Sequence, residues 1–210
     1  MKMDKPRIPV HLTLGNFQQI FSEEDPYLEN MEITESSLDD ENLNKVILSK
    51  MKIRNSTFVN SKLQNIDITD VHFENCDFSN ADLSRASIHR VTFKNCKLLG
   101  VQFIDGRFGH VDFDHCLLSL SNFSESKLEK IHFNESKLSN ADFFDCKLVK
   151  SKYSYCDLDS VNFDRTKLKG IDISTSQFNS LIVSIEDVKG CIISQEQALS
   201  FALMLGLQIK

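Results

Sequence analysis

Cys76-Asp77-Phe78-Ser79-Asn80-Ala81-Asp82-Leu83-Ser84-Arg85 is two copies of one five-residue unit, and that unit sets the reading of the whole chain. Phe78 and Leu83 belong to a series in which every fifth residue from Ile33 to Phe178 is large and apolar, without one slip. A helix turns every 3.6 residues and a strand alternates every 2, so neither could bring such a series to one face. A fixed short period held over most of a chain means a solenoid, whose units bury their apolar residues only by stacking on their neighbours.

A second inward register lies two residues before each centre. Its occupants are small or β-branched, as at Ala81, Ala86, Val91, Val101, Gly106, Val111, Ser121, Ile131 and Ala141. One large and one small residue per unit suit a narrow tube packed to native density. All six cysteines, Cys76, Cys96, Cys116, Cys146, Cys156 and Cys191, fall in this register and read as small, reduced hydrophobes. The remaining three positions carry nearly all the Asp, Asn, Lys, Ser and Glu, and so face water.

The units Cys76–Asn80, Ala81–Arg85 and Ala141-Asp142-Phe143-Phe144-Asp145 resemble the pentapeptide-repeat family. That resemblance implies an all-β solenoid, a right-handed quadrilateral β-helix with four units to a coil and a solvent-free core. The expected division is an N-terminal cap over residues 1–30, a β-helix of about seven to eight coils over 31–183, and a capping and dimerisation segment over 184–210. With twenty residues per coil, Cys76, Cys96 and Cys116 would lie on successive coils. Their parallel side chains would be badly oriented for a disulfide.

The ends are read from local signals. Leu14, Phe17, Ile20 and Phe21 recur at three- and four-residue spacing between Pro9 and Pro26, as a short helix or snug cover over the first coil would require. Ser194 and Gln197 form a capping box, followed by a helix over 195–205 that Gly206 ends. Leu207 and Ile209 continue the apolar run as a short strand. The apolar band on this helix is broader than one coil end can cover, and two-fold dimerisation through Leu199, Ala202, Leu203 and Leu205 is expected. The ending through Leu199, Leu203, Leu205, Gly206 and Leu207 resembles the dimerisation module of the quinolone-resistance and toxin-immunity members. The resemblance implies a dimeric rod that imitates duplex DNA and engages DNA gyrase or topoisomerase IV.

Net charge is −6 and the pI about 5.5, which disfavours simple attraction to membranes or nucleic acid. No run of eighteen apolar residues and no signal-peptide pattern occur, so a cytoplasmic location is expected. Sorted on a twenty-residue coil, three faces are mildly acidic. Asp142, Asp145, Asp157, Asp159, Asp164 and Asp172 project near the expected dimer centre and are the candidate partner-binding residues. The fourth face is basic, with Lys127, Lys130, Lys147, Lys150, Lys167 and Lys169 on its later coils, and offers an alternative polyanion-binding stripe. A third reading is a protein-interaction scaffold using outward apolar residues such as Leu99, Leu117 and Leu120. The six histidines and the inward cysteines lack metal-ligand spacing, and no glycine-rich phosphate loop, G-x-S-x-G or H-E-x-x-H motif is present. No catalytic residue, cofactor or metal is expected.

Overall fold

The structure, a computed structural model, describes residues 2–21, 26–204 and 206–208. The repeat folds as an all-parallel solenoid of about eight turns, the quadrilateral β-helix. Two adjoining faces of each coil form nearly continuous strands. These are β3 (Met31–Thr34), β4 (Ile47–Arg54), β5 (Asp67–Glu74), β6 (Ser87–Lys94), β7 (Arg107–Asp114) and β8 (Lys127–Asn134). Two short strands precede them, β1 (Thr13–Gly15) and β2 (Tyr27–Glu29). Four follow: β9 (Lys147–Val149), β10 (Lys152–Ser154), β11 (Val161–Asn162) and β12 (Leu181–Ile182). The other two faces pair by single parallel bridges, such as Thr57 to Asp77 and Asp82 to Gln102. From β3 onward, partners on successive coils are twenty residues apart, as Ile53 with Phe73 and Phe73 with Phe93.

The five-residue side has a simple local cause. From Leu28 to Leu168 the second residue after each centre takes a positive φ, as at Asn60, Asn80, Gly100, Leu120 and Asn140, and this turns the chain through each corner. Left-handed backbone costs an ordinary residue roughly 1–2 kcal/mol, which accounts for the many Asn and Asp at this position. The corner N–H is satisfied by the next coil, for example Asn80 N–H to Leu99 O at 2.8 Å. At many units an Asp or Asn before the centre caps the same corner. Asp77 Oδ1 accepts from Ser79 N–H at 2.9 Å, and Asp82, Asn122 and Asn162 repeat the bond.

Centres and small residues fill the core as expected, with Leu43, Leu148 and Phe178 only partly covered. Phe73, Phe93, Phe113, Phe133 and Tyr153 form a stacked column with centroids 4.9 to 5.0 Å apart, which is the coil spacing. A second column through Phe103, Phe123, Phe143 and Phe163 meets it edge-on. All six cysteines are free, and Cys191 alone is half-exposed. Burial pushes the Cys146 thiol up to about 12 and Cys156 to about 11, so neither supplies a reactive thiolate.

Both ends differ from expectation. The solenoid begins before residue 31, because β2 pairs with β4 at the same twenty-residue step and Leu28 is a buried centre. The expected cover is a 3-10 helix, Phe17–Phe21, that buries Phe17 and Ile20 and leaves Leu14 and Phe21 exposed. Leu14 instead lies in β1, a strand added to β3. At the other end the ladder continues past Ile182: Ile192 bridges Asp172, and Ile173 N–H donates to Ile192 O. This last coil includes a short helix, α1 (Ile185–Val188), capped by Ser184.

Helix α2 (Gln195–Met204) follows, with the expected capping box. Gln197 N–H donates to Ser194 Oγ at 3.2 Å and Ser194 N–H to Gln197 Oε1 at 2.9 Å. The same buried amide gives its Nε2 protons to Ile173 O and Ser176 O, so one side chain also closes the open coil end. Leu207 is not in a strand; its N–H turns back to Ala202 O. Leu205 and Ile209 lie outside the described residues.

Candidate interaction surfaces

The acidic residues sit on the outer walls but are not all free to contact a partner. Asp142, Asp157 and Asp172 occupy the corner-capping position and accept from Phe144, Asp159 and Ser174 N–H at 2.9 to 3.1 Å. Asp159 accepts from two backbone donors, Asn179 and Ser180. Those N–H groups hold the Asp159 carboxyl below the usual carboxylate range, and the Ser174 hydroxyl does the same for Asp172. These four carboxylates are therefore structurally fixed, each bonded through one oxygen to a turn. Asp145 is exposed and Asp164 half-exposed on the wall, with no side-chain bond to any of the described residues.

On the basic face, pairing thins the positive charge. Lys127 lies 3.6 Å from Glu129 and Lys167 reaches Asp187 at 2.9 Å, whereas Lys130 Nζ has an imidazole and not a carboxylate beside it, His110 Nε2 at 3.3 Å. Earlier on the same face Arg90 grips Asp70 through two guanidinium nitrogens, Nε and Nη2, at 2.6 and 2.7 Å. Lys147, Lys150 and Lys169 make no ion pair with a described residue.

Among the described residues, seven exposed large apolar side chains fall near the C-terminal end, between Ile182 and Leu207. Leu199 and Leu203 are 54% and 60% exposed, with Ile182, Ile185 and Ile192 beside them on the last coil. Ala202 is half-buried. A groove of about 490 Å³ opens between α1 and α2, floored by Val183, Val188, Ile193 and Phe201. Of the middle-coil apolar residues, Leu120 is exposed, Leu99 is just exposed, and Leu117 is half-buried. Phe144, another outward residue, takes the Arg165 guanidinium over its ring at 5.3 Å.

Two features escaped sequence reasoning. Asp187 on α1 is buried, and it binds Ser184 Oγ, Lys167 Nζ and Arg165 N–H together. The Ser184 hydroxyl leads these partners in holding its carboxyl below the usual range. The S-x-x-D spacing from Ser184 was the available signal. The second is the N-terminal segment, which lies against the side of the solenoid instead of over its end. Among the described residues, no three His, Cys, Asp or Glu side chains gather as a metal site, and no helix is long and apolar enough to cross a membrane.

A square parallel solenoid with five-residue sides, carboxylates or amides capping its corners and smooth charged walls defines a pentapeptide-repeat architecture. Residues 66–143 match the family model described as a pentapeptide repeat region. The chain thus contains a pentapeptide-repeat region, and its register runs unbroken well beyond both ends of that match. The fold is similar to that of a trypsin-treated form of QnrB1, a plasmid-mediated fluoroquinolone resistance protein. The TM-score is 0.56 at 19% identity, covering 88% of this chain and 90% of that one. HetL, a pentapeptide repeat protein involved in heterocyst differentiation regulation from the cyanobacterium Nostoc sp. strain PCC 7120, covers 80% of this chain and 90% of its own. It does so at 16% identity with a TM-score of 0.30. No curated protein matches the sequence. At these identities the likeness to QnrB1 establishes the fold and no more.

Proposed function

We propose that this protein is a non-enzymatic binding rod that engages the DNA-binding surface of a type II topoisomerase and protects that enzyme from a fluoroquinolone or related poison. The observation that carries the reading is a segregation of surfaces. Carboxylates repeat along the walls, whereas a cluster of exposed apolar residues that includes Ile182, Ile185, Leu199 and Leu203 lies at the C-terminal end, where a second copy can cover it. The QnrB1 likeness supports the same direction.

Magnitudes refine the mechanism. About eight coils at sheet-like spacing make a rod of roughly 38 Å. Duplex DNA of that length carries about 22 charges, far above the net −6 of this chain. Mimicry therefore rests on the acidic walls that a partner faces, and the basic face turns away from it. Asp142, Asp145, Asp157, Asp159, Asp164 and Asp172 supply the facing charge. Because four of them also cap turns, the informative variant is Asp→Asn at all six, which keeps the capping oxygen and deletes the charge. Wild-type protein is expected to restore supercoiling by fluoroquinolone-treated gyrase, and the six-fold variant to lose that effect with its β-type circular dichroism intact. Absence of either protection or inhibition by wild type would remove the proposal.

A further inference from the structure

The N-terminal segment runs across the coils instead of following them. Residues 3–8 lie along one corner of the solenoid, held by two backbone donors. Arg7 N–H donates to Asp70 Oδ1 at 2.9 Å, and Asp4 N–H donates to His110 Nδ1 at 2.8 Å. Asp70, Arg90, His110 and Lys130 are the positive-φ residues of successive coils at this corner. Asp70 and His110 are two coils apart, about 10 Å at sheet-like spacing. Arg7 and Asp4 are three residues apart, also about 10 Å in an extended chain. Three extended residues therefore step two coils, and side-chain acceptors on the corner meet backbone donors on the segment.

The residue types suit this geometry. Pro6 lies between the two donors, where it has no N–H to leave unpaired, and it biases Lys5 toward extended backbone. Met3, Pro6 and Ile8 are half-buried, while Asp4, Lys5 and Arg7 are exposed. Charge is matched at the Asp70 contact. The Asp4 carboxylate lies 3.9 Å from His110 beside Lys130, and Arg7 adds its charge to that of Arg90 around Asp70. Asp70 is itself almost fully buried. A groove of about 620 Å³ remains beside the segment, bordered by Lys52, Arg54, His72 and His132.

We propose that this corner is a docking rail for an extended peptide of the pattern acidic–x–Pro–basic, and that residues 4–7 of the chain occupy it in cis. Every recognised element belongs to such a peptide in general: two backbone N–H groups three residues apart, a carboxylate at one end and a cation at the other. The occupant is tethered through Val10, which is 91% exposed, and none of its residues belongs to the buried apolar core. A tethered segment competes at an effective concentration in the millimolar range, so a rival peptide gains access when the segment is displaced. The inference is independent of the topoisomerase reading.

The test keeps the full chain. Asp4→Pro combined with Arg7→Pro removes both donors from the segment and leaves the corner untouched. Nuclear magnetic resonance of the double variant should show the segment freely mobile, where wild type shows it ordered. A synthetic peptide with the wild-type sequence of residues 2–10 should then bind the variant saturably, with a dissociation constant of about 1 mM or tighter. It should not bind wild type, and His110→Ala in the double-proline chain should weaken binding about tenfold. A segment that stays ordered in the double variant would overturn the proposal. So would absence of binding up to about 5 mM, equal binding to wild type, or indifference to His110→Ala.

Discussion

Replacing Tyr153 by Phe is expected to stabilise the solenoid. Tyr153 continues the aromatic column, stacked 4.9 Å from Phe133 and edge-on to Phe143 and Phe163. It is 0% exposed, and its hydroxyl has no hydrogen-bond partner among the described residues. Complete burial pushes its ionisation well above the usual phenol value, so the group stays neutral and the cost is that of an unpaired hydroxyl. Such a group costs about 1–3 kcal/mol. Phe keeps the ring and its contacts. The space the oxygen leaves is on the order of 15 Å³, which at roughly 24 cal/mol per Å³ returns only about 0.4 kcal/mol. The net expectation is a gain of about 1–2 kcal/mol, or roughly 2–8 °C in melting temperature for a chain of this length. Urea unfolding followed by far-ultraviolet circular dichroism should shift to a higher midpoint with an unchanged slope. A lower midpoint would mean that the hydroxyl is satisfied in solution, and would refute the reasoning.

Leu120→Asn should also stabilise, by about 0.5–1 kcal/mol in the same unfolding assay. Leu120 holds φ 61° while 59% exposed, and Asn at this corner accepts the left-handed backbone and can pair with Asn140 on the next coil as Asn80 pairs with Asn60; a loss of stability would show that Leu120 packs usefully. Burial holds His72 and His89 below the ordinary imidazole value of 6.5. As pH falls below that value the unfolded chain binds protons before the folded one, so this contribution is complete above about pH 6.5 and is lost on acidification toward the depressed values. The midpoint should fall between about pH 7 and pH 5, and less so for His72→Gln with His89→Gln; equal curves would contradict the assignment. Leu203→Asp puts a charge on the exposed face of α2. Light scattering should give about 48 kDa for wild type and about the 24.0 kDa chain mass for the variant, and a wild-type mass near 24 kDa would remove the dimer.

The solenoid was legible because its cause is local and repeated. The centres, the small register and the inert cysteines each follow from one five-residue rule, and the Ser194–Gln197 box from one helix-start rule. Even the missed first coil was in register, since Leu28 lies five residues before Ile33. What the period could not show depends on contacts distant in sequence. Arg7 meets Asp70 and Asp4 meets His110 across 63 and 106 residues, and no local pattern in a proline-punctuated segment says which wall it lies on. The candidate acidic residues lie on outer positions, Asp145 exposed and the other five half-buried. Their second role, capping the corners through Asp142, Asp157 and Asp172, needed coordinates, because a capping carboxylate and a free one share the same register.

The most direct measurement of the proposed function is competition for one surface. Fluorescently labelled duplex DNA bound to gyrase is titrated with the purified protein, and anisotropy reports the bound DNA. The account predicts that DNA is displaced in a saturable manner at low salt, that displacement weakens as salt rises, and that the six-fold Asp→Asn variant fails to displace it. DNA that stays bound while the protein binds the same gyrase would contradict it.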